Sequence, residues 1–161
     1  MNSLISQIED AFRGVELEDG ASLNMSEYND SGGCMEHFLE LAKTDERKDW
    51  TIIPDRVLED FTVIFNFTDW KGFRFYLPAY MRWKINNETS NSIIGDFTIY
   101  SLNPETIISL YKKPINEILG DKQLLVVREF LKWCCGKNNE GCDSDTARSN
   151  LEKLEIILAS A

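Results

Sequence analysis

The sequence predicts a mainly α, small α+β protein, with about six helices around one core and a short two-stranded antiparallel element. Three observations carry that expectation. Apolar residues recur at helical spacing over most of the chain, while two short stretches alternate with period two. A length of 161 residues, 43% of them hydrophobic and 27% charged, suits one globular domain spanning 1–161.

The first helix rests on Leu4, Ile5, Ile8, Ala11 and Phe12, which fall at i, i+1, i+4, i+7 and i+8, and Gly14 is placed to stop it. Residues 15–33 read as a long acidic loop punctuated by Gly20, Gly32 and Gly33, with room for a short helical turn. A second helix carries Met35, Phe38, Leu39 and Ala42 on one face, followed by a charged linker from Lys43 to Asp49. Trp50 is expected to pack where that linker enters a third helix. Pro54 opens that helix in its first turn, and Val57, Leu58, Phe61, Ile64 and Phe65 form its stripe.

Asp69 to Gly72 reads as a turn. In "GFRFYLPAYMRW" (72–83), Phe73, Phe75 and Leu77 alternate with Arg74 and Tyr76 as in a strand. Pro78 then starts a helix that places Ala79, Tyr80 and Trp83 on a shared face. After the polar loop "NNETSNS", Phe97 and Ile99 alternate with Thr98 and Tyr100 in "DFTIYS", the second strand. Asn103-Pro104 caps and opens a short helix containing Ile107, Ile108 and Tyr111. Two more helices close the chain. One starts near an Asp121 cap, carries Leu124, Val127, Leu131 and Cys134, and ends at Gly136; the other carries Ala147, Leu151, Leu154 and Leu158.

Charge is distributed unevenly. The net charge is −10, yet residues 1–50 alone hold 12 acids and 4 bases, while the remainder is nearly neutral. Such a surface repels phosphate backbones, so nucleic acid is excluded as a partner, and it steers a basic protein toward the N-terminal third. Glu16, Glu18, Asp19, Glu27 and Asp30 are the candidate steering residues. The N-terminus has no basic leader, Glu9 and Asp10 interrupt its apolar run, and no uncharged stretch approaches the about 20 residues that span a bilayer. A cytoplasmic protein without membrane contact is expected.

Motifs for catalysis are missing from the sequence. Neither phosphate-binding glycine loop occurs, nor G-x-S-x-G, nor H-E-x-x-H. His37 is the only histidine, off the apolar stripe of its helix, so a Cys34–His37 pair has no further support. Cys34, Cys134, Cys135 and Cys142 match no zinc spacing and read as buried or inert thiols. The carboxylate clusters Glu16/Glu18/Asp19 and Asp45/Glu46/Asp49 lack a calcium-loop pattern. No metal and no cofactor are expected. Arg74, Tyr76 and Arg82 are retained as candidate binding residues, because an arginine beside aromatics takes a carboxylate or a planar group.

"AFRGVELEDGASL" (11–23), "DERKDWTIIPDRVLEDF" (45–61), "GFRFYLPAYMRW" (72–83) and "DKQLLVVREFLKW" (121–133) occur in this order. Together they resemble an uncharacterised family of small bacterial proteins, a domain of unknown function, over most of the chain from Ala11 to about Trp133. The F-R-F-Y-L-P-A-Y-M block is the most specific part. The resemblance implies a bacterial, cytoplasmic protein and supplies no activity.

The expected function is therefore a non-catalytic acidic protein that neutralises or docks a basic protein partner, as immunity or antitoxin-like proteins do. Two alternatives stay open. One is a small enzyme or ligand-binding protein with its site at Asp69, Arg74, Tyr76 and Tyr80, and the other is a subunit of a larger assembly.

Overall fold

Among residues 3–136 and 141–160, which the computed structural model of the chain describes, the backbone forms ten α-helices and no strand. They are α1 (Ser3–Ala11), α2 (Leu23–Ser31), α3 (Met35–Ala42), α4 (Asp55–Asp60), α5 (Trp70–Asn86), α6 (Ile94–Ser101), α7 (Pro104–Tyr111), α8 (Ile115–Ile118), α9 (Asp121–Cys135) and α10 (Ser144–Ala159). Short 3₁₀ turns add Trp50–Ile52 and Ile64–Asn66.

The expected two-stranded element does not exist, and both of its stretches are helical. Phe73–Leu77 lies inside α5, a 17-residue helix that buries twelve of its residues. From 71 to 85 only Lys71, Arg74 and Arg82 stay partly exposed, at spacings that trace one stripe along the helix. A helix apolar on nearly every side loses the 3.6-residue signature. The apparent alternation then depended on counting Tyr76 as outward, whereas its side chain is fully buried.

Pro78 sits in the interior of α5, not at its start. A proline there costs about 3 kcal/mol, because it offers no N–H to the preceding turn. The helix persists because Phe73, Phe75, Tyr76, Tyr80 and Trp83 are all buried, each worth about 1.5–3 kcal/mol. Asp69, read as a turn residue, caps this helix: its Oδ1 accepts from the Gly72 amide at 2.8 Å and its Oδ2 from the Ala21 amide at 3.1 Å.

The second expected strand is α6. Its buried residues Ile94, Gly95, Thr98, Ile99 and Ser101 follow helical spacing. The Thr98 hydroxyl donates to the Ile94 carbonyl at 2.7 Å, the back-bond available to a threonine in a helix. Local strand propensity yields here to burial against α5 and α10.

Several boundaries also move. The acidic loop contains the full nine-residue helix α2, and α8 was not anticipated. Pro54 takes the N-cap position of α4, which ends at Asp60, so Ile64 and Phe65 belong to a separate turn. Gly120 caps α9, its amide donating to Gln123 Oε1 at 3.0 Å, and Asp121 is the first helical residue. The polar loop before α10 lies partly outside the described residues.

Around α5 pack α1, α4, α6 and α8, while α9 joins α1 to α10. One contiguous cluster of buried apolar side chains runs from Ile5 to Leu154. Helix α2 joins it through Leu23 and packs on the Ile64–Asn66 turn, whereas α3 buries none of its residues and rests mainly on α2. No helix among the described residues is long and apolar enough to cross a membrane.

Candidate functional site

Three of the five expected steering acids are engaged internally. Glu16 pairs with Lys48 at 2.6 Å. Lys71 reaches both Glu18, at 2.7 Å, and Asp19, and Arg74 adds a second contact to Glu18 at 2.9 Å. The hydrogen bonds from Lys71 hold the Glu18 and Asp19 carboxyls below their ordinary range, and the Lys71 ammonium is raised in return. This clamp fastens the loop to the first turn of α5, where the same two cations flank the Trp70 indole at 5.3–5.5 Å.

The arginine–tyrosine group does not converge. Positions 74 and 76 are about 200° apart on a helix, so Arg74 meets the acidic loop while Tyr76 is buried in the core. The Tyr76 hydroxyl has no well-formed hydrogen bond among the described residues, although the Leu23 backbone favours its ionised form, and burial outweighs this to raise its ionisation well above the ordinary phenol range. Arg82 donates to the carbonyls of Thr51 (2.6 Å) and Ile53 (2.7 Å) and stacks 5.8 Å from the Trp50 ring. It straps the Trp50–Ile52 turn to α5. Tyr80 donates to the Phe61 carbonyl, and Asp69 caps α5. Asp69, Arg74, Tyr76 and Tyr80 are thus directed at separate partners or none.

Glu27 and Asp30, the other two steering acids, belong to a different feature. With Asp60 they line a concavity of about 130 Å³ between α2 and the Phe61–Phe67 segment. A larger concavity of about 390 Å³ adjoins it, since Asp60 and Phe61 line both. Its wall is apolar at Ile52, Val57 and Phe61, and its rim carries Asp45 and Glu46. Five carboxylates and no lysine or arginine line the combined groove. None of the five forms an ion pair among the described residues.

Local structure keeps two of these carboxylates in place. Asp45 accepts from the amide and the side chain of Asn24, at 2.9 and 2.7 Å, thereby tying down the first turn of α2. One Glu46 oxygen accepts the amides of Arg47, Lys48 and Asp49 at 2.7–3.0 Å. Led by the Lys48 amide, these bonds hold the Glu46 carboxyl below its ordinary value. The Asp45/Glu46/Asp49 cluster, weighed as an ion-binding candidate, is thus used in capping and turn formation, with Asp49 accepting from Thr51. A single-sign cleft with low-dielectric walls focuses its field outward.

No group of three His, Cys, Asp or Glu side chains among the described residues is arranged to hold a metal. Of the four cysteines expected to be buried or inert, Cys134 and Cys142 are buried, Cys135 is half-buried and Cys34 is exposed. His37 lies against Phe38 at 5.6 Å.

Sequence reasoning missed Asp45, Glu46 and Asp60 as groove residues, because nothing in local spacing brings 45, 60 and 27 together. It also missed Lys84, which is completely buried and donates to the Glu88 carbonyl at 2.8 Å. Its surroundings in "MRWKIN" give no sign of that.

Comparison with known families matches residues 1–154 to a family of unknown function, DUF6714. Searches of curated proteins and of solved structures gave no match.

Proposed function

The chain belongs to the DUF6714 family, a membership that assigns no chemistry, and from that premise we propose that it is a non-catalytic binding protein for a basic protein partner. One observation carries this reading: a groove beside α2 and α4 lined by five carboxylates, with an apolar wall and without a single base. Carboxylates paired with cations, such as Glu16, Glu18 and Asp19, contribute little net field. Those of the groove form no ion pair among the described residues, although Asp45 and Glu46 accept hydrogen bonds. Carboxylates of this kind accelerate encounter with a cationic surface, and an apolar wall supplies area that persists after docking. Such a surface supports a partner-neutralising role of the immunity or antitoxin kind, which we place in the cytoplasm.

The test is capture of the purified products of the flanking genes, repeated across a salt series. Wild-type protein should retain a basic product, with retention falling steeply as salt rises. The doubly reversed variant Glu27→Lys/Asp60→Lys should lose at least tenfold in affinity while keeping its helical circular dichroism. Retention that ignores both salt and charge reversal would end the proposal.

A further inference from the structure

The α3 helix has an apolar stripe that, among the described residues, is only partly covered, by α2. Met35, Phe38, Leu39 and Ala42 recur at i, i+3, i+4 and i+7, yet none of its eight residues is buried. Phe38 turns onto Tyr28 of α2, with ring centres 5.7 Å apart. Met35 and Leu39, one turn apart, remain 48% and 47% exposed, while Leu41 is exposed on another side of the helix. Contiguous exposure of large apolar side chains on one short element marks an interaction surface.

Charge decides what fits there. Residues 23–42 contain Glu27, Asp30, Glu36 and Glu40 and no lysine or arginine. Glu36 and Glu40 flank the stripe at i and i+4, and among the described residues only Glu40 has an ion-pair partner, the exposed Lys43. A second copy of the chain would bring two such carboxylate sets face to face. An anionic lipid surface would be repelled in the same way. A helix presenting apolar side chains between lysines or arginines is complementary in both respects.

We infer that the exposed stripe of α3 seats an amphipathic, basic helix of the partner, with Met35 and Leu39 as apolar anchors and Glu36 and Glu40 facing its cations. The inference rests on the basic-partner reading and adds the form of the docking segment.

Two peptides serve as probes: a helix of about 18 residues with leucines on one face and lysines on the other, and an oligolysine of equal charge. Fluorescence anisotropy should give the amphipathic peptide an affinity at least tenfold above that of oligolysine. Met35→Ser/Leu39→Ser should erase this advantage, leaving oligolysine binding and thermal unfolding unchanged. Glu27→Lys/Asp60→Lys should weaken both probes. If the serine variant binds like wild type while the charge reversal weakens binding, α3 is not the seat, although a basic partner stands. If neither variant alters binding, both ideas fall. Two other outcomes overturn the inference in favour of a different occupant. One is a dimer in sedimentation equilibrium that the serine variant dissociates; the other is binding to phosphatidylglycerol vesicles that the same variant abolishes.

Discussion

Single side chains in this protein differ sharply in what they contribute, even when they look equivalent. Tyr76 and Tyr80 are both buried in α5, but only Tyr80 has a hydrogen-bond acceptor, the Phe61 carbonyl. Tyr76→Phe removes an unpartnered buried hydroxyl and should leave stability unchanged or raise it by up to about 1 kcal/mol. Tyr80→Phe leaves that carbonyl unmatched and should cost about 1–2 kcal/mol. Urea denaturation of the two variants reads the contrast directly, and equal losses would refute it. Gly72 is a third case. A Cβ there would fall 1.8 Å from Thr68 Oγ1 and 2.9 Å from the Ala21 carbonyl oxygen. Gly72→Ala should therefore destabilise by about 1–3 kcal/mol, as overpacking does.

Among the elements, α5 depends on its entry, whereas α3 buries none of its own residues. Asp69 satisfies two orphan amides, one of its own helix and one at Ala21. Asp69→Ala should cost about 1–2 kcal/mol, lowering the thermal midpoint, because both the cap and the tether to the acidic loop are lost. The α3 helix offers the opposite case. With no buried residue of its own, it adds little to stability, so its apolar stripe is open to binding. The sequence displayed that stripe correctly but gave no means of knowing that it faces outward. Periodicity reports that a helix has an apolar side, and says nothing of whether another element of the same chain reaches it.

Over the whole molecule, one core joins α1 to α10, and a single cooperative unfolding transition is expected, followed in parallel by circular dichroism and tryptophan fluorescence. Its pH dependence has a definite sign. Glu18, Asp19, Glu46, Glu129 and Asp143 all have carboxyls held below their ordinary values of 4.5 and 3.8. The unfolded chain thus takes up protons first. Stability is fully present above those ordinary values and is lost as pH falls through the lower, folded ones. At the alkaline end Tyr76, Tyr80 and Tyr111 are raised above their ordinary value of 10.0, so rising pH beyond that value favours unfolding. The urea midpoint should form a plateau with a loss on each side. Glu46→Gln should flatten the acid limb, since three backbone amides lose their charged acceptor.

What could be read from the chain alone follows from spacing and end signals. The stripe of α1, the cap of α7 at Asn103, the burial of Trp50 and the two C-terminal helices are all local patterns. The acidity of the first fifty residues is equally local, as a matter of composition. Tertiary structure alone decided that α5 is a helix, because burial on nearly all sides erases the period that would have distinguished it from a strand. It also decided which acids form ion pairs and which, among the described residues, do not, because a carboxylate's field depends on cations that the fold brings near. Lys71 and Arg74 lie more than fifty residues from Glu18, and no reading along the chain connects them.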